Sequence, residues 1–280
     1  MDFLARIVGE ELKQRWDQTV VVENKAGASH TIAIQIVARA EPDGQTLLMA
    51  ANTLTTNVAF YKTMPYDPVK SLTPIVEMAG GSLALVVHPS VPVHDIHGFI
   101  DYAKQRPGQV NYATNGRGTP QHLSMEFLAA RAGLKITHVP YPGSAGASRE
   151  IVGGFVSVMF MPVHQALPLA EAKQIRLLAV SGKQRFPQLP DVPTLTEAGY
   201  EGVEVNFWYG LLGPANLPNE IVGRFNAVAN EIVASPKYQK AFEAQGLKPV
   251  GGTAKAFADQ IAGDVVRWTK IVKDAGIELQ

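Results

Sequence analysis

The run Val110-Asn111-Tyr112-Ala113-Thr114-Asn115-Gly116-Arg117-Gly118-Thr119-Pro120 decides the fold class of this 280-residue chain. Five residues of strand character end in a small-residue loop. Thr119 then stands as helix N-cap with Pro120 at the first helical position, which predicts a helix over 120–131. The same rhythm continues downstream, with strands predicted at 136–139, 156–160 and 175–180 and helices at 145–152 and 166–172. Upstream, a helix is predicted over 96–104. Further back, the Pro42-Asp43-Gly44 turn separates a helix over 29–40 from a buried strand over 46–50. A β-branched run, Thr19-Val20-Val21-Val22, predicts an earlier strand. The chain opens in a helix whose stripe of Phe3, Leu4, Ile7, Val8 and Leu12 lies opposite Glu10, Glu11, Lys13 and Gln14. Strand, loop, helix, strand at this spacing is the pattern of βαβ units, so the fold class is α/β.

Two apolar stretches, 83–87 and 203–212, read as strands passing between two parallel sheets. Two such crossings predict a discontinuous first domain, 1–84 with 209–280, and a continuous second one, 85–208. Three amphipathic helices are predicted after about residue 218. Open α/β sheets bind ligands at the carboxyl ends of their strands, so two facing sheets would share a cleft.

Composition narrows the function. The chain is 46% hydrophobic and 18% charged, with 25 basic and 25 acidic side chains. Zero net charge argues against nucleic-acid binding, which needs a basic excess to neutralise phosphates. Cysteine is absent, which excludes disulfides, thiolate metal sites and cysteine nucleophiles. No apolar run approaches the ~18 residues of a membrane span. The opening Met1-Asp2-Phe3-Leu4-Ala5-Arg6 lacks the basic and apolar regions of an export signal.

The Thr119-Pro120 helix start exposes N–H groups at the positive end of a helix dipole and is a natural anion seat. Similar starts occur at Pro142-Gly143-Ser144-Ala145, at Gly27-Ala28-Ser29 and at Asn52-Thr53-Leu54-Thr55. Each alone is also an ordinary βα turn; several around one cleft point to a ligand. Nucleotide fingerprints fail, because Gln121 stands where the third glycine of GxGxxG belongs and no GxxxxGK[ST] exists. Gly27-Ala28-Ser29-His30-Thr31 stops one glycine short of a nucleophile elbow. His122 either points into the cleft or serves packing and capping. His138 reads as a core residue, and His94 and His97 as an exposed pair at a helix start. Trp16 and Trp268 read as packing residues. No carboxylate or histidine cluster indicates a metal, and no cofactor is expected.

Six further segments belong together. They are Val22-Glu23-Asn24-Lys25-Ala26-Gly27-Ala28, Pro42-Asp43-Gly44-Gln45-Thr46-Leu47-Leu48, Met64-Pro65-Tyr66-Asp67-Pro68, Pro107-Gly108-Gln109-Val110-Asn111-Tyr112, His138-Val139-Pro140-Tyr141-Pro142-Gly143 and Leu189-Pro190-Asp191-Val192-Pro193-Thr194. With Phe207-Trp208-Tyr209-Gly210 after them, the chain resembles the Bug family, the solute-binding receptors of tripartite tricarboxylate transporters. The resemblance implies a type II periplasmic-binding-protein fold, with two doubly wound lobes and a cleft between them. It implies a monomeric, non-enzymatic receptor that binds a di- or tricarboxylate or an acidic amino acid and hands it to membrane permease subunits. Backbone amides, hydroxyls and waters would hold the carboxylate.

Onto this chain the resemblance carries Gly27 and Ala28 as cleft lining, with Thr53 beside them. It carries Asn115, Gly118 and Thr119 as donors from the second lobe, and Gly143, Ser144 and Ala145 as a further amide cradle. Three departures stand out. His30 and Ala33 replace glycines common in the family, and Met161 replaces a frequent Asp. Asp2 stands where the family's first glycine-rich loop ends, so the first strand of lobe 1 and the export signal are expected to be missing and the natural full-length form to be longer and periplasmic. Two other readings compete: an enzyme using His122 or Ser29 to hydrolyse a carboxylate ester or amide, and a ligand-sensing module for a regulator.

Overall fold

The computed structural model describes residues 1–274 apart from Ala26, Pro142, Gly202, Glu204 and Gly246. Parts of the loop and strand expectations at 26, 142 and 204 therefore lie outside the described residues. The chain runs α1 (Asp2–Trp16), a tight turn (Ala28–His30), α2 (Thr31–Ala38), β1 (Leu48–Ala51), α3 (Thr53–Phe60) and β2 (Leu72–Val87). It continues through α4 (Ile96–Lys104), β3 (Asn111–Thr114), α5 (Pro120–Ala132), β4 (Thr137–Pro140), α6 (Ser144–Val152), β5 (Val158–Pro162), α7 (Val163–Glu171) and β6 (Arg176–Val180). The last elements are β7 (Asn206–Pro214), α8 (Asn219–Ala234), α9 (Pro236–Ala244), β8 (Lys248–Pro249) and α10 (Ala254–Asp274).

Two compact units result, Met1–Gly80 with Trp208–Gln280, and Gly81–Phe207. The two passages between them fall inside β2 and β7. Both expected boundaries, 84/85 and 208/209, also lie within these two strands.

In the first unit β1 pairs antiparallel with β7, Leu48 opposite Leu212 and Ala51 opposite Tyr209. β7 lies beside β2, which pairs antiparallel with β8 at Ala79 and Gly80. The core gathers Ile34, Leu48, Leu54, Trp208, Leu212 and Phe257. Trp208 and Phe257 meet edge to face with ring centroids 5.1 Å apart. A side chain at residue 210 would overlap the Phe257 ring, so the strand needs glycine there.

In the second unit the strands order as β6-β2-β5-β3-β4. β3 runs parallel to β4 and β5, while β2 is antiparallel to β5 and β6. Its core includes Val86, Ala113, Ile151, Met159, Met161 and Val180. Met161 is thus fully buried packing, which accounts for an apolar residue at that position.

Three local expectations need correction. Thr19–Val22 is not a strand; none of the described strands pairs with it, and Val21 is 78% exposed. β-branched residues form a strand only where a neighbouring backbone takes up the ladder bonds, and propensity cannot supply one. Glu11 does not face water; it is 9% exposed and accepts a 2.6 Å hydrogen bond from the Tyr238 hydroxyl as well as one from Arg15. The helix predicted over 29–40 starts only at Thr31, because Ala28, Ser29 and His30 all adopt left-handed backbone, with φ of 44°, 50° and 69°.

Candidate functional site

The quoted strand-loop-helix run folds as the sequence implies. The Thr119 hydroxyl oxygen accepts from the His122 amide, and Pro120 opens α5. Gly116 and Gly118 turn the loop with φ of 125° and 73°, conformations that a side chain strains. The Thr119 hydroxyl donates to the Gly116 carbonyl at 2.8 Å. Thr114, at the end of β3, also bonds both the carbonyl and the amide of Gly116. The loop is therefore pinned at Gly116 from both ends.

β4 lies next to β3 in parallel register, Asn111 beside Thr137 and Thr114 beside Pro140. Consequently α5 and α6 begin side by side at the carboxyl ends of adjacent strands. The Tyr141 amide donates to the Thr114 carbonyl at 3.0 Å, tying the two loops together. Gly143, with φ of 98°, sets the start of α6, where Ser144 is half-buried and Ala145 exposed. Asn115 carries a buried side-chain oxygen with no partner among the described residues.

Beneath the 115–119 loop lies a stack of three rings. Tyr112 and His138 are register neighbours, with ring centroids 4.8 Å apart, and His138 stacks on His122 at 4.2 Å. His122 Nδ1 accepts from the Gly118 amide at 3.2 Å, and His138 Nε2 lies 2.7 Å from the Thr114 hydroxyl. The Tyr112 hydroxyl donates to the Glu126 carboxylate. Burial pushes His122 down to about 3, helped by His138 and the positive Arg117, and pushes His138 down to about 4, again with help from Arg117. Burial and the charge of Glu126 push the Tyr112 phenol upward.

Within the first unit a second group forms around the left-handed turn. His30 Nδ1 lies 2.8 Å from the hydroxyl of Thr53, the first residue of α3. Asn57 donates to the Ser29 carbonyl at 2.9 Å. Gly27 and Ala28 are exposed, and Thr53 is only 3% exposed. Burial lowers the His30 pKa. A cavity of about 1050 Å³ in this unit, lined by α1, residues 18–25, α2 and β1, reaches His30 and Thr53.

The expected residues thus form two groups. Asn115, Gly118 and Thr119 share one sheet end with Gly143, Ser144 and Ala145. Gly27, Ala28 and Thr53 meet around His30. The amide of Gly118 is turned to His122, so its visible work is to shape the loop. Sequence reasoning missed Tyr112, Thr114 and Glu126, and it treated His138 as core filling. The available signal was alternation: Tyr112 and Thr114 point to one face of β3, as do His138 and Pro140 on β4. His122 is 7% exposed, and its Nδ1 is already bonded, so it packs and positions instead of serving as a base near neutral pH.

Two α/β units linked through two strands, with paired helix starts at parallel strand ends, define the type II periplasmic solute-binding class. Residues 4–277 match the family described as "Tripartite tricarboxylate transporter family receptor". The "UPF0065 protein in tcbD-tcbE intergenic region" of Pseudomonas sp. (strain P51) is 36% identical over 273 residues, covering 97% of this chain and 81% of that protein. Among solved structures, "R. palustris Rpa4515 with adipate" is 33% identical with a TM-score of 0.92, covering 100% of this chain and 94% of that one. "Structure of periplasmic binding protein BugD" is 29% identical with a TM-score of 0.90, covering 99% and 93%. The chain belongs to the tripartite tricarboxylate transporter receptor family. Its role is that of an extracytoplasmic receptor, not an enzyme, which binds a small carboxylate for a transporter of this type.

Proposed function

We propose that the carboxylate is received at the paired starts of α5 and α6, by Asn115 and Thr119 on the loop that Gly118 shapes, together with Gly143, Ser144 and Ala145. Within the first unit, Gly27, Ala28 and Thr53, grouped around His30, form a second candidate ligand-contacting group of their own. The observation that carries this reading is the adjacency of two helix N-termini at the ends of neighbouring parallel strands. Unbonded helix-terminal N–H groups and the dipole favour an anion there without a lysine or arginine clamp. Charge-assisted hydrogen bonds from such donors contribute about 1.5–3 kcal/mol each. The buried Asn115 oxygen is a group that a ligand hydroxyl or a bridging water would satisfy.

The ligand class proposed is a dicarboxylate, since a relative with 33% identity is described with adipate. A linear diacid offers a second carboxylate of the same chemistry. The receptor is proposed to act as a monomer, which size-exclusion chromatography with light scattering checks. Calorimetric titration with adipate, malate, citrate and glutamate tests the ligand class, and Ser144→Ala and Thr119→Ala test the seat. Each substitution is expected to weaken binding about tenfold, equivalent to ~1.4 kcal/mol, with the circular dichroism spectrum unchanged. Unaltered affinity in both variants would move the seat elsewhere.

A further inference from the structure

His122 stands on the first turn of α5 with its ring turned back under the loop that precedes the helix. Its Nδ1 accepts the Gly118 amide. A nitrogen that accepts a hydrogen bond carries no proton, so this contact exists only with a neutral ring in one tautomer. The tautomer places the proton on Nε2, which lies 3.8 Å from the Glu126 carboxylate on the same helix. Glu126 in turn accepts from Tyr112 on β3. His138, on β4, covers the other face of the ring at 4.2 Å and reaches Thr114, which bonds Gly116. Two stacked imidazoles therefore each touch the loop by one ring nitrogen, at Gly118 directly and at Gly116 through Thr114.

We infer that His122 is a positioning residue of the ligand seat, holding Gly118 and with it the 115–119 loop in receiving shape through its unprotonated Nδ1. The inference rests on the reading of that loop as part of the seat. It follows that acid should release the loop. A proton on Nδ1 removes the lone pair that accepts from the Gly118 amide, and it places a cation against His138 and near Arg117. The groups facing His122 are Glu126 on α5, Tyr112 on β3, His138 on β4 and Arg117 in the loop. Burial and these neighbours keep the ring neutral until well below its ordinary range.

The test separates the acceptor from the ring. His122→Phe keeps a stacking ring and deletes the acceptor. His122→Asn deletes the ring, but its side-chain oxygen sits near the Nδ1 position and still accepts. Amide hydrogen exchange of Gly118 reads the contact without any ligand. Protection is expected in wild type and in His122→Asn, and a loss of tenfold or more in His122→Phe. Wild-type protection, corrected for intrinsic exchange, is expected to fall as pH is lowered to 4, while that of His122→Asn holds. Adipate titration of the same variants should show about a tenfold loss for His122→Phe and rescue to within threefold for His122→Asn. Unchanged Gly118 protection in His122→Phe would overturn the inference. If protection falls as expected while adipate affinity stays level, the positioning stands and the reading of the loop as ligand seat fails.

Discussion

The Nδ1 nitrogen of His30 and the Thr53 hydroxyl, 2.8 Å apart, join the left-handed turn at residues 28–30 to the first residue of α3. Three consecutive non-glycine residues in left-handed backbone are costly, at roughly 1–2 kcal/mol each. The turn persists because its neighbours hold it, through this bond and through Asn57 on the Ser29 carbonyl. Thr53→Val keeps the side-chain volume and deletes the bond. The expected result is a loss of about 1 kcal/mol in urea unfolding and faster hydrogen exchange at residues 27–31. Exchange unchanged at those residues would mean that the turn is held by other contacts.

Arg117 is an exposed cation in the 115–119 loop and contributes to the field at His122 and His138. If amides and hydroxyls hold the carboxylate, Arg117→Gln should weaken adipate binding by less than threefold, with the difference vanishing in 0.5 M salt, where charge interactions are screened. A loss of a hundredfold would show that the guanidinium itself is the principal ligand group.

Glu77 on β2 is pushed up to about 7, first by burial and then by the Asp264 charge on α10, against a hydrogen bond from Gln260. Asp264 itself is raised by burial and accepts from the Trp208 indole at 2.9 Å. The folded state thus holds a proton on Glu77 that the unfolded chain releases near the ordinary 4.5. Stability from this group is fully present below about 4.5 and is lost as pH rises through 7. Glu77→Gln should therefore be more stable than wild type at pH 8, by about 1–2 kcal/mol after allowance for solvent screening, and level with it near pH 4.5. Thermal melts at both pH values check the sign. The two stacked histidines act oppositely. Their pKa values are depressed, so their contribution is lost as pH falls from 6.5 towards about 4 for His138 and about 3 for His122.

Gly210 sits on β7 where a Cβ would overlap the Phe257 ring and lie 3.0 Å from the Val76 carbonyl oxygen. Phe257 cannot simply turn away, because it packs edge to face on Trp208. Gly210→Ala should cost about 1–3 kcal/mol in urea unfolding, and Phe257→Leu in the same chain should return part of it. A Gly210→Ala variant as stable as wild type would show that the strand and α10 separate freely.

Much of the candidate site was legible because its signals are local. Thr119 and Pro120 mark the start of α5 whatever surrounds them, since capping and a preset proline φ act within one turn. Gly143 before Ser144 marks α6 in the same way. The Tyr112-His138-His122 stack was not legible. It depends on the register of β3 against β4, which pairs residues 26 positions apart, and no spacing along the chain displays that. Glu11 was misread for a related reason: its hydroxyl partner, Tyr238, comes from the far end of the chain.

By itself the sequence determined the α/β rhythm, the caps, the turns and the small-residue helix starts, because each follows from dihedral preference and hydrogen bonding within a few residues. Tertiary structure alone decided that Thr19–Val22 stays unpaired, that two helix starts stand side by side and that a pair of neutral imidazoles underlies one of them. Those outcomes depend on which distant backbone or ring arrives as a neighbour, and strand pairing and burial are properties of that neighbour as much as of the residue.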